Sequence, residues 1–265
     1  MIVKKSPAEI ERMARSGLVL AEAHDLLAAS LRAGVSTREL DIVADRFIRA
    51  RGGVPTFKGY RGFPGSICAS PNDMVVHGIP GDYRVGDGDL IALDVGVTLG
   101  GWVADAAITH AVGAVDADRE RLLAGTREAL DAGVEQCRVG NRMGDVSAAI
   151  QRTAEDAGLS IIRSLVGHGV GREMHEDPQV PNYGRPGTGP RLEAGVVIAV
   201  EPMTTLGSPE VRIADDGWAI YSQDGSAAAH FEFTVAITDE GPRILTPWHV
   251  PADERGAAAP APAGA

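Results

Sequence analysis

Four acidic residues stand in runs where acids are rare. Asp94 lies within Leu90-Ile-Ala-Leu-Asp94-Val-Gly-Val97, and Asp105 within Trp102-Val-Ala-Asp105-Ala-Ala-Ile-Thr109. Glu201 ends the apolar run that begins at Val196 and stops at Pro202, and Glu232 sits in His230-Phe-Glu232-Phe-Thr-Val-Ala-Ile237. All four runs read as buried strands, and a buried carboxylate needs a partner or a cation. None of the four contains Lys or Arg. Leu99-Gly100-Gly101 joins the first two runs as a hairpin with a two-residue loop, which pairs positions whose numbers sum to an odd value. Asp94 and Asp105 meet that parity, so both point to one face at roughly 5 to 8 Å. Two bare carboxylates about 5 Å apart repel by about 3 kcal/mol even at an effective dielectric of about 20. Something positive must lie between them.

A glycine-rich stretch, Leu165-Val-Gly-His168-Gly-Val-Gly-Arg-Glu-Met-His175-Glu-Asp-Pro178, supplies two imidazoles. It fails as a dinucleotide fingerprint because the third glycine of G-x-G-x-x-G would stand at Arg172. It fails as a zinc-protease helix because Gln179 occupies the second histidine position after His175-Glu176. On one helix His168 and His175 would be about 10.5 Å apart along the axis, and on one straight strand they would face opposite ways. The two imidazoles therefore have different tasks, with the glycines expected to let the backbone bend between them. If His168 joins the four acids, the donor set is oxygen-rich with one imidazole and no thiolate. That set carries four negative charges, which two divalent cations cancel, and it suits Mn, Fe, Co or Zn in a two-metal hydrolytic site.

Each residue also has a plainer reading. An aspartate in a strand is often an edge or turn residue, Glu201 before Pro202 could end a strand in water, and His77 before Gly-Ile-Pro80 is an ordinary turn histidine. His168 and His175 could be core imidazoles bonded to backbone. Taken together, these readings leave four buried-looking acids without partners.

The elements that position these residues follow from pattern. Ser6-Pro7-Ala8-Glu9 starts a helix that Ile10, Met13, Leu20 and Leu27 carry to about Leu31. Ser36 caps a second, with Leu40, Val43, Phe47 and Ile48 inward and Gly52-Gly53 as its stop. Strands are expected at 66–70 and 74–77, followed by the hairpin. Helices at 116–137 and 143–157 repeat the opening pair: Gly34 and Gly140, like Gly52 and Gly158, are 106 residues apart. Two α+β halves of similar plan, related by duplication, are one reading of this echo, and a chance match of two helical hairpins is the other.

The chain of 265 residues is long enough for one large domain, and its ordinary apolar and charged content reads as globular. No long apolar run follows the N-terminus, so neither signal peptide nor membrane span is expected. Cys68 and Cys137 are too few for a disulfide framework and fit a reducing cytoplasm. A net charge of −11 argues against a general nucleic-acid surface. From about Ala252 the chain turns Ala/Pro-rich, so the expected division is one catalytic domain over 1–250 and a disordered tail over 251–265.

Val76-His77-Gly-Ile-Pro80, Leu93-Asp94-Val, Asp105, Gly167-His168-Gly-Val-Gly-Arg with His175-Glu-x-Pro-Gln179, Glu201-Pro-Met203, Asp216-Gly-Trp218 and Phe231-Glu232 together resemble the type I methionine aminopeptidases. The resemblance runs in order from about Ser6 to Leu245. It implies the α+β pita-bread (creatinase/aminopeptidase-like) fold, two pseudo-symmetric halves with antiparallel sheet covered by helices. It implies that Asp94, Asp105, His168, Glu201 and Glu232 hold two divalent metal ions (Co, Mn, Fe or Zn), bridged by Asp105 and Glu232. It also implies that Glu201, His77 and His175 are catalytic, with His77 and His175 touching the substrate around the scissile bond.

Phe57, Tyr60, Phe63, Cys68, Met174 and Trp218 fall where that family lines its methionine pocket, although Tyr60 and Phe63 also read as ordinary packing. The implied reaction removes the initiator methionine from nascent or short peptides whose second residue is small. A hydroxide bridging the metals would attack the Met–Xaa bond, with Glu201 shuttling the proton. The partners would be peptide N-termini beginning with Met, including nascent chains at the ribosome, met by a cytoplasmic monomer without nucleic-acid or membrane contacts. Three positions depart from the family: Ala106 replaces a hydroxyl residue, Met174 a phenylalanine and His230 a glutamine. An Xaa-Pro dipeptidase-like hydrolase usually carries a further N-terminal domain for which this chain is short. An inactive pita-bread binding module would be expected to lack a ligand.

Overall fold

The computed structural model describes residues 1–255. Two helices, α1 (Pro7–Ser30) and α2 (Thr37–Ala50), precede the short strands β1 (Val54–Pro55), β2 (Ile67–Pro71) and β3 (Met74–Val76) and the long hairpin β4 (Leu90–Leu99) and β5 (Trp102–Ala111). A second helix pair, α3 (Ala117–Glu135) and α4 (Met143–Asp156), leads to β6 (Ser160–Ile161), β7 (Val166–Gly169), β8 (Glu176–Pro181), β9 (Val197–Val200) and β10 (Met203–Thr205). The rest is β11 (Val211–Ile213), β12 (Ile220–Ser222), β13 (Ala228–His230), β14 (Phe233–Thr238) and β15 (Gly241–Ile244).

Local chemistry explains the boundaries. Ser36 caps α2 by accepting from the Glu39 N–H, while the Glu39 carboxylate accepts from the Ser36 N–H at 2.8 Å. Gly100 and Gly101 take φ of 59° and 75°, the left-handed pair a tight two-residue hairpin demands. The ladder runs from Leu99 opposite Trp102 to Leu90 opposite Ala111. Asp94 faces Ala107 and Asp105 faces Gly96, so the two aspartates are diagonal neighbours on one face, as the parity argument requires.

The helix pair recurs in the second half. α2 and α4 each span 14 residues, and Thr37 and Met143 stand 106 apart in number. Each half has its own core. α1 and α2 press Leu20, Leu27, Leu40 and Ile48 onto Ile91, Leu93 and Val95 of β4, whereas α3 and α4 press Leu122, Leu130, Val146 and Ile150 onto Ile198, Val200 and Phe233. All the strand pairing is antiparallel, with β15-β14-β9-β7-β8 the largest sheet.

The halves are stitched along β5. The Asp105 N–H donates to the Thr234 hydroxyl at 3.0 Å, which itself donates to the Asp105 carbonyl at 2.8 Å. The Glu232 N–H donates to the Ala107 carbonyl at 2.9 Å, and Thr109 makes a matching pair of bonds with the His230 backbone. Residues 230–234 thus run as an antiparallel companion to 105–109, and every polar backbone group along this seam that takes part is paired.

Two expectations need correction. Glu201 and Glu232 lie in breaks rather than inside strands, between β9 and β10 and between β13 and β14. Pro202 lacks the N–H that would continue the first ladder. The glycines of the 165–178 stretch do not supply left-handed turns, since none of Gly167, Gly169 and Gly171 has a positive φ. They supply room: a Cβ on Gly167 would sit 2.4 Å from the Ala199 carbonyl oxygen, and one on Gly169 would sit 2.2 Å from that of Asp177. Past Trp248 the described chain continues in turns to Arg255, whose guanidinium donates to the Trp248 and Val250 carbonyls and pairs with Asp25. The remainder of the expected tail lies outside the described residues. Among those described, no helix is long and apolar enough to cross a membrane.

Candidate metal centre

The four acids converge on one spot. β4 and β5 bring Asp94 and Asp105, β7 brings His168, and the two strand breaks turn Glu201 and Glu232 toward them. Asp105 and Glu232 are 3% and 2% exposed, and His168 is 8% exposed. Ligating atoms of Asp105, His168 and Glu232 all lie within 4.8 Å of one another. His168 Nε2 is 3.4 Å from Glu201 Oε1 and 3.8 Å from Asp105 Oδ2. His168 Nδ1 donates to the Gly169 carbonyl at 2.9 Å, which fixes the ring with Nε2 free to face the acids.

The electrostatics are untenable for bare carboxylates. Burial pushes the Asp94 carboxyl up to about 7. Burial, with Asp94 and Glu201 close by, holds Asp105 well above the usual carboxylate range, and burial with Asp105 and Glu201 does the same to Glu232. Glu201 is raised by burial and by Asp94. His168 is lowered to about 4, mainly by burial, and so brings no compensating positive charge near neutral pH. Asp94 Oδ1, Asp105 Oδ1 and Glu232 Oε1 are buried without any hydrogen-bond partner among the described residues. Orphaned, inward-facing carboxylate oxygens beside a neutral imidazole Nε2 fit a site for divalent cations, which would reverse the direction of those shifts.

These groups line one cavity of about 310 Å³. Every residue expected to ligate metal, act on the substrate or line the methionine pocket borders it: Asp94, Asp105, His168, Glu201, Glu232, His77, His175, Phe57, Tyr60, Phe63, Cys68, Met174 and Trp218. His175 lies tilted against His168 with ring centroids 4.2 Å apart, so the two histidines of the glycine-rich stretch come together. His175 Nδ1 contacts the Tyr60 hydroxyl at 2.8 Å. With the hydroxyl as donor, the His175 proton sits on Nε2. Tyr60 is thereby more than packing. His77 takes φ of 60°, rare for a side chain with a Cβ and characteristic of positions held for function. Burial and His175 lower its pKa to about 4, which keeps it neutral.

Supporting contacts hold these groups. Buried Lys5 pairs with Glu176 at 2.7 Å, and Glu176 Oε1 accepts from the Arg172 and Glu173 N–H groups, fixing the loop before His175. Asp216 accepts from the Trp218 and Ala219 N–H groups, and Trp218 meets Phe63 edge-on at 5.1 Å. At Ala106, where a hydroxyl is missing, the carbonyl accepts from buried His24 Nε2 at 3.0 Å. The cavity also takes in Arg61, Val76, Leu165, Met203 and His230, which sequence reasoning did not place there. Met203 and His230 were detectable as neighbours of Glu201 and Glu232, whereas nothing in the sequence marks Arg61.

Both the sequence and the fold have known relatives. The profile of metallopeptidase family M24 matches residues 11–239. A methionine aminopeptidase of Clostridium perfringens is 48% identical over 246 residues, covering 93% of this chain and 99% of the relative. The crystal structure of methionine aminopeptidase from Rickettsia prowazekii superposes with a TM-score of 0.92 at 37% identity, covering 93% of this chain and all of that one. Prolidase from Pyrococcus furiosus, 21% identical with a TM-score of 0.72 over 92% of this chain and 65% of its own, shares the pita-bread fold. Matched along nearly its whole length at such identity, the chain belongs to metallopeptidase family M24, among its type I methionine aminopeptidases.

Proposed function

We propose that this protein removes the N-terminal methionine from peptides whose second residue is small, with two divalent cations held by Asp94, Asp105, His168, Glu201 and Glu232. The observation that carries the reading is one cavity lined by five side chains able to ligate a metal and by an apolar, aromatic and sulfur-bearing wall. Four carboxylates against one neutral imidazole call for four positive charges, hence two dications. Asp105 and Glu232, the most deeply buried of the four acids, would contribute to holding both ions. Bound cations would polarise the scissile carbonyl and lower the pKa of water from 15.7 to about 7.

The protein's own groups do the rest. The Glu201 side chain is 13% exposed against 4% for Asp105 and 2% for Glu232, so it alone of these three has room to pass a proton from water to the leaving amine. His175, with Nε2–H directed by Tyr60, donates to the carbonyl oxygen as negative charge develops there. Neutral His77 meets the scissile amide nitrogen. Phe57, Phe63, Cys68, Met174 and Trp218 enclose the thioether, for which aromatic and sulfur contacts are well suited. Burial and Asp94 raise the Cys68 thiol well above its ordinary value, so it remains an unreactive wall. The reading extends to a cytoplasmic monomer acting on nascent chains, supported by two free, buried cysteines that fit a reducing compartment.

Metal-free protein supplied with Co, Mn, Fe or Zn should release methionine from Met-Ala and Met-Gly peptides, with little from Met-Lys and none under chelator. Methionine release from none of these peptides with any of the four metals would overturn the reading. Cleavage of Xaa-Pro dipeptides without methionine preference would replace it with a dipeptidase.

Metal removal also has a signature in stability. The raised carboxyls hold protons in the folded, metal-free state that the unfolded chain has already lost, so the Asp94 contribution falls as pH rises from about 4 to about 7, and Asp105 acts in the same direction. Cations displace those protons. The gain in melting temperature on adding metal should therefore grow from pH 5 to pH 8, as followed by calorimetry, and a gain independent of pH would contradict the assignment.

A further inference from the structure

We propose that His230 is a second imidazole ligand of the metal centre, resting on the two-cation reading above. The ring sits at the end of β13, 2% exposed and inside the same cavity. Its backbone is locked from both sides, because the His230 N–H donates to Thr109 Oγ1 and the Thr109 hydroxyl donates to the His230 carbonyl. Thr109 lies on β5, the strand that carries Asp105. The element that delivers this acid therefore also fixes the ring.

Neither ring nitrogen has a hydrogen-bond partner among the described residues. His230 Nε2 is 3.7 Å from Glu201 Oε2 and 3.9 Å from Glu232 Oε2, beyond hydrogen-bond length to either. Those separations resemble the 3.4 and 3.8 Å between His168 Nε2 and its two acids. Two donors each about 2.1 Å from one ion lie about 3 Å apart at a right angle and about 4 Å apart when nearly opposite. The two oxygens of Glu201 thus face two imidazoles, Oε1 toward His168 and Oε2 toward His230, at distances that a shared cation accounts for and direct bonds do not. An imidazole with its hydrogen on Nδ1 offers the Nε2 lone pair to that gap. A glutamine, common here in the family that the sequence resembles, would offer only a neutral amide. The second nitrogen shifts the donor set from hard oxygens toward the preference of zinc, cobalt and iron and away from manganese.

X-ray absorption at the zinc edge tests this directly on the full chain. With two zinc ions per chain, the wild type should show an average of one imidazole per zinc, and His230→Gln half that number. His168→Ala should retain the imidazole that His230 contributes. Zinc affinity in His230→Gln should fall about 10-fold or more, the cost of losing even a supporting group, with a smaller change for manganese. An average of half an imidazole per zinc in the wild type overturns the proposal whether or not the variants fold, as does an equal count in wild type and His230→Gln. A wild type that takes up no zinc, cobalt, iron or manganese would fail the two-cation reading itself, and this one with it.

Discussion

Asp105→Asn should yield a protein that is at least as stable as the metal-free parent yet unable to hold metal or cleave peptides. The substitution keeps the shape of a side chain that is 3% exposed, while removing one of four mutually repelling charges. Burial and the nearby Asp94 and Glu201 make the Asp105 carboxylate costly in the absence of cations. That cost grows as pH rises above the ordinary carboxylate range, and a neutral amide removes it, so at pH 8 the metal-free variant should melt at or above the metal-free wild type. Metal binding should weaken by more than about 100-fold, since loss of a merely supporting group costs about 10–100-fold. Peptidase activity should disappear with it. Calorimetry and metal titration on the same samples check both halves of the expectation, and a variant that binds metal as the wild type does would remove Asp105 from the centre.

The second large effect separates two neighbours. His168→Ala should lower metal occupancy and take activity down as a consequence, because His168 Nε2 faces Glu201 and Asp105. His175→Ala should retain both metals and lose turnover by about 10²–10³-fold, the typical effect of removing a donor to a developing oxyanion. Tyr60→Phe should follow His175→Ala part of the way, since the hydroxyl orients the ring. Metal content by mass spectrometry beside kcat distinguishes the two behaviours. Equal loss of metal in both histidine variants would show that the rings, only 4.2 Å apart, share one task.

Much of this was legible because the sequence breaks its own patterns at the site. Acids interrupt apolar strands at Asp94 and Asp105, and hairpin parity alone puts them on one face, which the register bears out. The helix pairs announce themselves by caps and a 106-residue echo, because caps and hydrophobic period are local properties. What depended on non-local contact was hidden. The glycines around His168 looked like hinges but serve as clearance for neighbouring carbonyls, a fact set by β8 and β9 packing alongside. Glu201 and Glu232 looked like strand residues because the apolar runs continue past the breaks that aim them inward. Arg61 carries no mark at all, since its place on the cavity wall comes from the backbone of an irregular loop.

The seam along β5 has a consequence for the life of the molecule before it is complete. Asp94 and Asp105 belong to the first half of the chain, His168, Glu201 and Glu232 to the second, and the bonds joining 105–109 to 230–234 close the gap between them. On the proposed ligand set neither half alone carries all five donors, so a chain cut between the halves should show no peptidase activity until the two pieces are recombined. The site is complete only when residues near the end of the sequence dock against a strand made more than a hundred residues earlier. The same stitching that builds the reaction centre acts as its safety catch.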